Sequence, residues 1–255
     1  MTTAGAIRCV WMRYFAVYRK SLKYAVVTTF VEPLLYLFAF GFGLGTIIGT
    51  VNVAGVELTY RKFILAGIVA QTVMFQGFFE AAYGAFIRMY YQRIFQAIAV
   101  TPITLSEVLW AELIWDASRA AFAALAILAI GVAIGDFQAV GALIALCVCF
   151  VVGLLFAGLG LLVAAKSKTI EEISYPQYLL IFPMFLFCGV FFPLENLPSY
   201  LQWLAWILPL TAVVSLIRTL TLGTPLQPTV FIVIAVWLAI LTPWSRKAMS
   251  RRLIK

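Results

Sequence analysis

The stretch FFPLENLPSYLQWLAWILPLTAVVSLIRTLTLG, residues 191–223, decides how this chain is arranged. It is strongly apolar, yet Pro193, Pro198 and Pro209 divide it, and each proline removes a backbone donor from any helix around it. The pieces between them, residues 197–208 and 210–222, are too short to cross a hydrocarbon layer singly, which takes about 20 helical residues. Arg218 inside the second piece would be costly against lipid. Two half-helices dipping into a membrane and returning to the same face fit both features.

The flanks of the chain lead to the same reading. Apolar stretches open near Tyr24, Phe63, Leu113, Ala139, Ile173, Leu197 and Thr229. Arg8, Arg13, Arg19, Lys20 and Lys23 precede the first; Arg246, Lys247, Arg251, Arg252 and Lys255 follow the last. Basic flanks stay in the cytoplasm, so both ends point inward and the crossings are even in number. One apolar stretch therefore enters without crossing, and the proline-broken one is the candidate. The expected architecture is an all-α integral membrane domain over residues 1–255. Six transmembrane helices span 24–48, 63–86, 106–134, 139–165, 173–192 and 229–244, with an outer re-entrant hairpin over 193–223. Gly135-Asp136 supplies a tight outer turn.

Composition supports lipid as the solvent. Of 255 residues 64% are hydrophobic and 11% charged, with a mean hydropathy of +1.05. A soluble domain keeps roughly a quarter of its residues charged. The net charge of +8 is topological: fourteen of the eighteen Lys and Arg residues lie at the two ends or in the inner loops at 87–105 and 166–172. That placement marks an inner membrane face beside anionic lipid, and no nucleic-acid footprint.

Two segments lie outside the spans. Over residues 5–21, Ile7, Val10, Trp11, Tyr14, Phe15 and Tyr18 form one helical stripe with Arg8, Arg13, Arg19 and Lys20 off it, the pattern of an amphipathic helix at the membrane interface. Over residues 87–101, Ile87, Tyr90, Tyr91, Ile94, Phe95 and Ile98 form a second stripe, with Arg88, Gln92, Arg93 and Gln96 off it and Thr101-Pro102 ending the helix. This cytoplasmic helix either inserts its apolar face into a partner's groove or lies along the interface without one.

Several types of catalysis are excluded, and paired membrane aspartates are disfavoured because Asp116 and Asp136 sit at different depths. The chain has no histidine, which removes Ser-His and Cys-His pairs and the HExxH zinc helix. It has no G-x-x-x-x-G-K-[ST] run to cradle nucleotide phosphates. Cys9, Cys147, Cys149 and Cys188 lack metal-ligand or redox spacing. No catalytic group, metal or bound cofactor is expected. Charge does occur within spans: Glu112, Asp116 and Arg119 are spaced to share a face of the third. With Glu32 and Glu80 in the inner halves of their own spans, they form a candidate intramembrane network, serving as glue between helices or as the lining of a polar path. Asp116 and Arg119 are close enough in sequence to satisfy one another. Glu195 is placed at the outer surface, capping the first half-helix or shaping an outer gate.

Three motifs resemble the membrane subunits of type-2 ABC exporters, nearest to permeases for nodulation factors, polysaccharides and drugs. They are PLLYLFAFGFGLG (33–45), the cytoplasmic helix ending in VTPIT (100–104), and FCGVFFPLENLP (187–198) followed by LPLTAVVSLIR (208–218). The resemblance covers the whole chain. It implies a second permease copy and two cytoplasmic ATPase subunits, which would hold the ATP and Mg. It makes the segment with Arg88, Tyr91, Arg93, Phe95, Thr101 and Pro102 an ATPase-coupling helix. It places Phe191, Phe192, Pro193, Glu195, Pro209 and Arg218 at an outer gate. An ATP-independent transporter or channel, and a non-transporting scaffold, are the competing classes.

Overall fold

The computed structural model describes residues 2–253, which fold as a helical bundle with one small hairpin. Helix α1 (Thr3–Lys20) starts where the Thr2 side chain accepts from the Gly5 N–H. After a break at Ser21, α2 (Leu22–Tyr36) leads into a π-helical stretch, Leu37–Leu44, and a last turn, α3 (Gly45–Ile48). Strands β1 (Thr50–Val53) and β2 (Val56–Thr59) pair antiparallel around Ala54 and Gly55, both at positive φ. The hairpin falls between the first two expected spans, 24–48 and 63–86, and four-residue strands give too little alternation to announce it.

The centre of the bundle is one long helical run, Tyr60–Tyr90, made of α4 (Tyr60–Phe79), a π-helical turn Glu80–Gly84 and α5 (Ala85–Tyr90). A short α6 (Ile94–Ala99) follows. Then come α7 (Leu105–Ala133), opened by a capping box between Thr104 and Glu107, and α8 (Ala139–Lys166). The α4, α7 and α8 helices form a trunk held by small residues. A Cβ on Gly153 would lie 3.0 Å from the Ala117 Cα, and one on Gly77 3.1 Å from the Gly153 carbonyl. At Gly160 it would meet the Phe78 carbonyl and lie 2.9 Å from Ala81 Cβ. In an apolar solvent helices associate by close packing, and hydrogen in place of a side chain lets these backbones approach.

Past Lys166 the helices shorten. A 3₁₀ turn (Glu171–Ile173), α9 (Ser174–Pro176), a π turn (Gln177–Ile181) and α10 (Phe182–Phe187) make a run that stops well before the expected end at 192. Gly189, at φ +78, turns the chain there. Then α11 (Ser199–Ile207) and α12 (Pro209–Leu222) meet at 87°, with Pro209 opening the second. Finally α13 (Thr229–Leu253) packs along α8. Among the described residues five helices are long and apolar enough to cross a membrane, or six with the bent pair taken as one span.

Polar contacts mark the two ends. At one, Arg61 holds Asp136 of the α7–α8 turn at 2.8 Å. At the other, Arg246 donates to Ser106 Oγ at 2.6 Å and Arg252 to the Ala164 carbonyl at 2.6 Å and the Ser167 carbonyl. The second end also carries Arg93, Lys166, Lys168, Lys247 and Arg251, and is called the basic end below. Attachment to the trunk is uneven. In Tyr60–Tyr90 83% of the apolar window is buried, in Val31–Ile48 only 17%.

Substituting Gly160→Leu should lower stability by about 1–3 kcal/mol through overpacking against α4. Gly43→Ala, whose Cβ has nothing nearer than 3.9 Å, should change it little. Thermal unfolding of the two variants in detergent compares them directly.

Candidate functional site

Five charged side chains meet inside the trunk. Glu80, Gly84 and Arg88 follow one another at intervals of four, so a single face of the α4–α5 run carries both charges with a glycine between. A Cβ on Gly84 would lie 2.9 Å from Arg88 Nη2 and 3.1 Å from Glu80 Oε1, so only glycine leaves room for the pair. Arg88 Nη1 donates to Glu80 Oε1 at 3.0 Å. Its Nε donates to Glu112 Oε1 at 2.8 Å, and Nη2 lies 2.5 Å from the same oxygen. Nη2 also reaches Asp116 Oδ1 at 3.5 Å. Arg119 donates from Nη1 to Glu80 Oε2. Glu112 and Asp116 are fully buried.

Helix α1 roofs this cluster. Tyr14 lies under Arg88, with 5.2 Å from guanidinium carbon to ring centre, and Tyr18 under Arg119 at 4.7 Å. Trp11 donates to Ser118 Oγ at 3.2 Å and packs edge-on to Trp115. The stripe on residues 5–21 therefore faces protein at Val10 and Tyr14. A cavity of about 330 Å³ opens between α1 and the trunk, lined by Arg13, Tyr18, Glu80, Arg88, Gln92 and Arg119. The cluster is thus dry on the α7 side and open to polar contents on the α1 side. Three carboxylates face two guanidiniums, and Glu112 Oε2 and Asp116 Oδ2 have no hydrogen-bond partner.

Several expectations need correction. Arg88, assigned to a docking face, points into the trunk because three carboxylates draw it there. The Glu80–Gly84–Arg88 spacing was the signal that could have found it. Asp116 and Arg119 do not pair with each other: Asp116 turns to Arg88, Arg119 to Glu80. Glu32 is not in the cluster; it is exposed on α2 beside Val31, Leu35 and Tyr36, along an apolar groove. The continuous helix over 87–101 is broken at Tyr91–Arg93, where Arg93 takes a left-handed conformation (φ 52°). Below the break Phe95 is buried, whereas Tyr91, Arg93, Thr101 and Pro102 stay exposed. The Thr101 hydroxyl donates to the Ile98 carbonyl at 2.6 Å.

At the opposite end Phe191 joins an aromatic group, 4.9 Å from both Phe40 and Phe185 between ring centres, and its carbonyl accepts from the Tyr60 hydroxyl at 3.2 Å. Phe192 is partly buried beside it, and Pro193 is buried. Glu195 sits exposed on a 3₁₀ turn, Leu194–Asn196, and does not cap α11, whose N-cap is Pro198. Arg218 is buried on α12. Among the described residues no group of three or more His, Cys, Asp and Glu is arranged to hold a metal ion.

The sequence that builds this arrangement matches a known family. The family model for the ABC-2 type transporter matches residues 5–222. This chain belongs to that family. It is similar to Nodulation protein J of Rhizobium leguminosarum bv. trifolii, 35% identical over 248 residues, covering 96% of this chain and 93% of the relative. Nodulation protein J of Rhizobium meliloti (strain 1021) is 35% identical over 217 residues, covering 85% and 81%. The Inner membrane transport permease YadH of Escherichia coli (strain K12) is 23% identical over 218 residues, covering 86% and 83%. As an ABC-2 family member it is a multi-pass membrane protein of the permease type.

Arg88→Met strands Glu112 and Asp116, while Glu80 keeps Arg119, and should cost about 3–5 kcal/mol, the scale for breaking a buried pair. Adding Glu112→Gln should recover part of that loss. The double-mutant cycle, read by thermal unfolding, measures the coupling.

Proposed function

We propose that the chain is the membrane subunit of an ATP-driven exporter in a bacterial inner membrane. It carries an amphipathic or lipid-linked molecule outward: a glycolipid, lipo-oligosaccharide, polysaccharide or hydrophobic drug. The observation that carries this reading is the family match over residues 5–222 in a chain whose sequence has no phosphate-cradling loop. The energy then comes from a separate ATPase, two copies of which serve two permease chains. The basic end faces the cytoplasm, with both termini there, by the bias of Lys and Arg; the final Lys255 lies outside the described residues.

Support for a coupling role at 87–101 comes from which residues remain outside. Tyr91 is 62% exposed and Val100 88% exposed, flanking an α6 anchored by buried Phe95. In our reading α6, with Tyr91, Arg93, Thr101 and Pro102, seats in the ATPase. Arg88 then passes its movement to α7 through Glu112 and Asp116. The α11–α12 pair is the outer re-entrant hairpin: two helices of 9 and 14 residues meeting at 87° turn back more readily than they span. Cargo leaves past Phe191, Phe192 and Pro193. The thinly covered face of α2, with Glu32 on it, meets the second permease.

The permease should co-purify with a P-loop ATPase, and ATP-driven uptake of cargo into inverted vesicles should stop with vanadate. Export driven by a proton gradient without ATP would refute the reading. The double variant Tyr91→Asp, Arg93→Glu should insert normally and lose the ATPase at least tenfold in pull-down.

A further inference from the structure

We propose that the cavity beneath the β1–β2 turn is a binding site for one oxyanionic group, a carboxylate, sulfate or phosphate ester, held by Arg218. Arg218 is only 6% exposed. Among the described residues no carboxylate lies within 4.0 Å of it. Its Nη2 donates to the Gly189 carbonyl at 2.7 Å, with longer approaches to the Phe63 carbonyl at 3.4 Å and the Val190 carbonyl at 3.5 Å. The Phe63 ring lies 3.7 Å from the guanidinium carbon. Among the described residues Nε, itself closed off from solvent, has no hydrogen-bond partner.

A structural staple would explain Nη2 and nothing more. Tying the Gly189–Val190 turn to α4 takes one nitrogen, and a neutral amide supplies that without a buried charge. The guanidinium presents five donors in a fixed fork suited to carboxylate, sulfate and phosphate. A full positive charge held away from water with no carboxylate in contact, and only the exposed Glu195 acting on it from beyond 4.0 Å, is among the costlier features a fold can keep.

The space beside it fits the missing partner. Arg218 lines a cavity of about 60 Å³, to which Ser215, Thr224 and Gln227 add polar side chains. One water needs about 10–15 Å³ by the same measure, so an oxyanion head has room. Val53 and Ala54, at the hairpin tip, form part of the wall. Glu195 stands at the same cavity, exposed and beyond 4.0 Å from the guanidinium, where its charge opposes an incoming anion. This site is argued from Arg218 and its surroundings alone and does not depend on the exporter reading.

The chain in nanodiscs of phosphatidylcholine, whose headgroup phosphate is neutralised by its own choline so that the bilayer has no net charge, can be titrated calorimetrically with sodium sulfate and separately with sodium glucuronate at constant ionic strength. One saturable site per chain is expected. Binding of sulfate alone identifies a site for free inorganic anions; binding of glucuronate as well identifies one for acid-bearing sugars. Glu195→Gln, at an exposed position, should tighten binding at least threefold, an effect that a purely structural arginine would not produce. Arg218→Gln, if it folds, should weaken binding at least tenfold. Absence of saturable binding in both the unmodified chain and Glu195→Gln overturns the proposal. So does an unchanged affinity in Glu195→Gln, or in a folded Arg218→Gln. No ATPase and no net transport enter this measurement, so its failure and that of the exporter reading are told apart.

Discussion

Arg88 has to find its counter-charges inside the protein, and that requirement fixes how three helices stand to one another. Its guanidinium spans from Glu80 on its own helical run to Glu112 and Asp116 on α7. Glu112 and Asp116 are fully buried, so any sliding of α7 against α4 would part ions in a medium that screens them poorly. The smaller details serve this contact. Gly84 clears the space, and Arg119 takes the second oxygen of Glu80. Helix α1 covers the remaining side with the rings of Tyr14 and Tyr18. The chain can keep charge at this depth because a cavity, and not hydrocarbon, adjoins it.

Around that fixed contact the molecule divides into a tight and a loose part. The glycine seam joining α4, α7 and α8 tolerates almost no displacement, since backbone meets backbone at Gly77, Gly153 and Gly160. The first long helix, by contrast, leaves Val31, Leu35, Phe38 and Phe42 exposed. Helix α11 is as thinly covered, with Ala205 alone buried, whereas α12 packs against α4, α8 and α13 and belongs to the tight part.

The helices were legible because their signals are long and redundant. Twenty-residue apolar stretches survive errors of a few residues at each end, and Pro209 announced the bend between α11 and α12. Glu80, Glu112, Asp116 and Arg119 could be nominated because a charge inside an apolar segment is conspicuous. Pairing was not legible. Whether Arg88 looks outward or inward depends on what stands across the gap, and that is tertiary information. Glu32 met the same criterion of depth and landed on another face, for depth says nothing of rotation about the helix axis. The break at Arg93 carries no proline or glycine to signal it, and the hairpin at 50–59 is too short for its alternation to count.

The π-helical stretch at Leu37–Leu44 has a mechanical meaning of its own. Each π turn holds one residue more than an α turn, so the segment contains surplus chain already wound into the helix. Such a dislocation can migrate toward either end, turning the residues it passes by roughly one position while each amide keeps an acceptor. A helix so built can present a different row of side chains to its surroundings without exposing a bare backbone group to hydrocarbon.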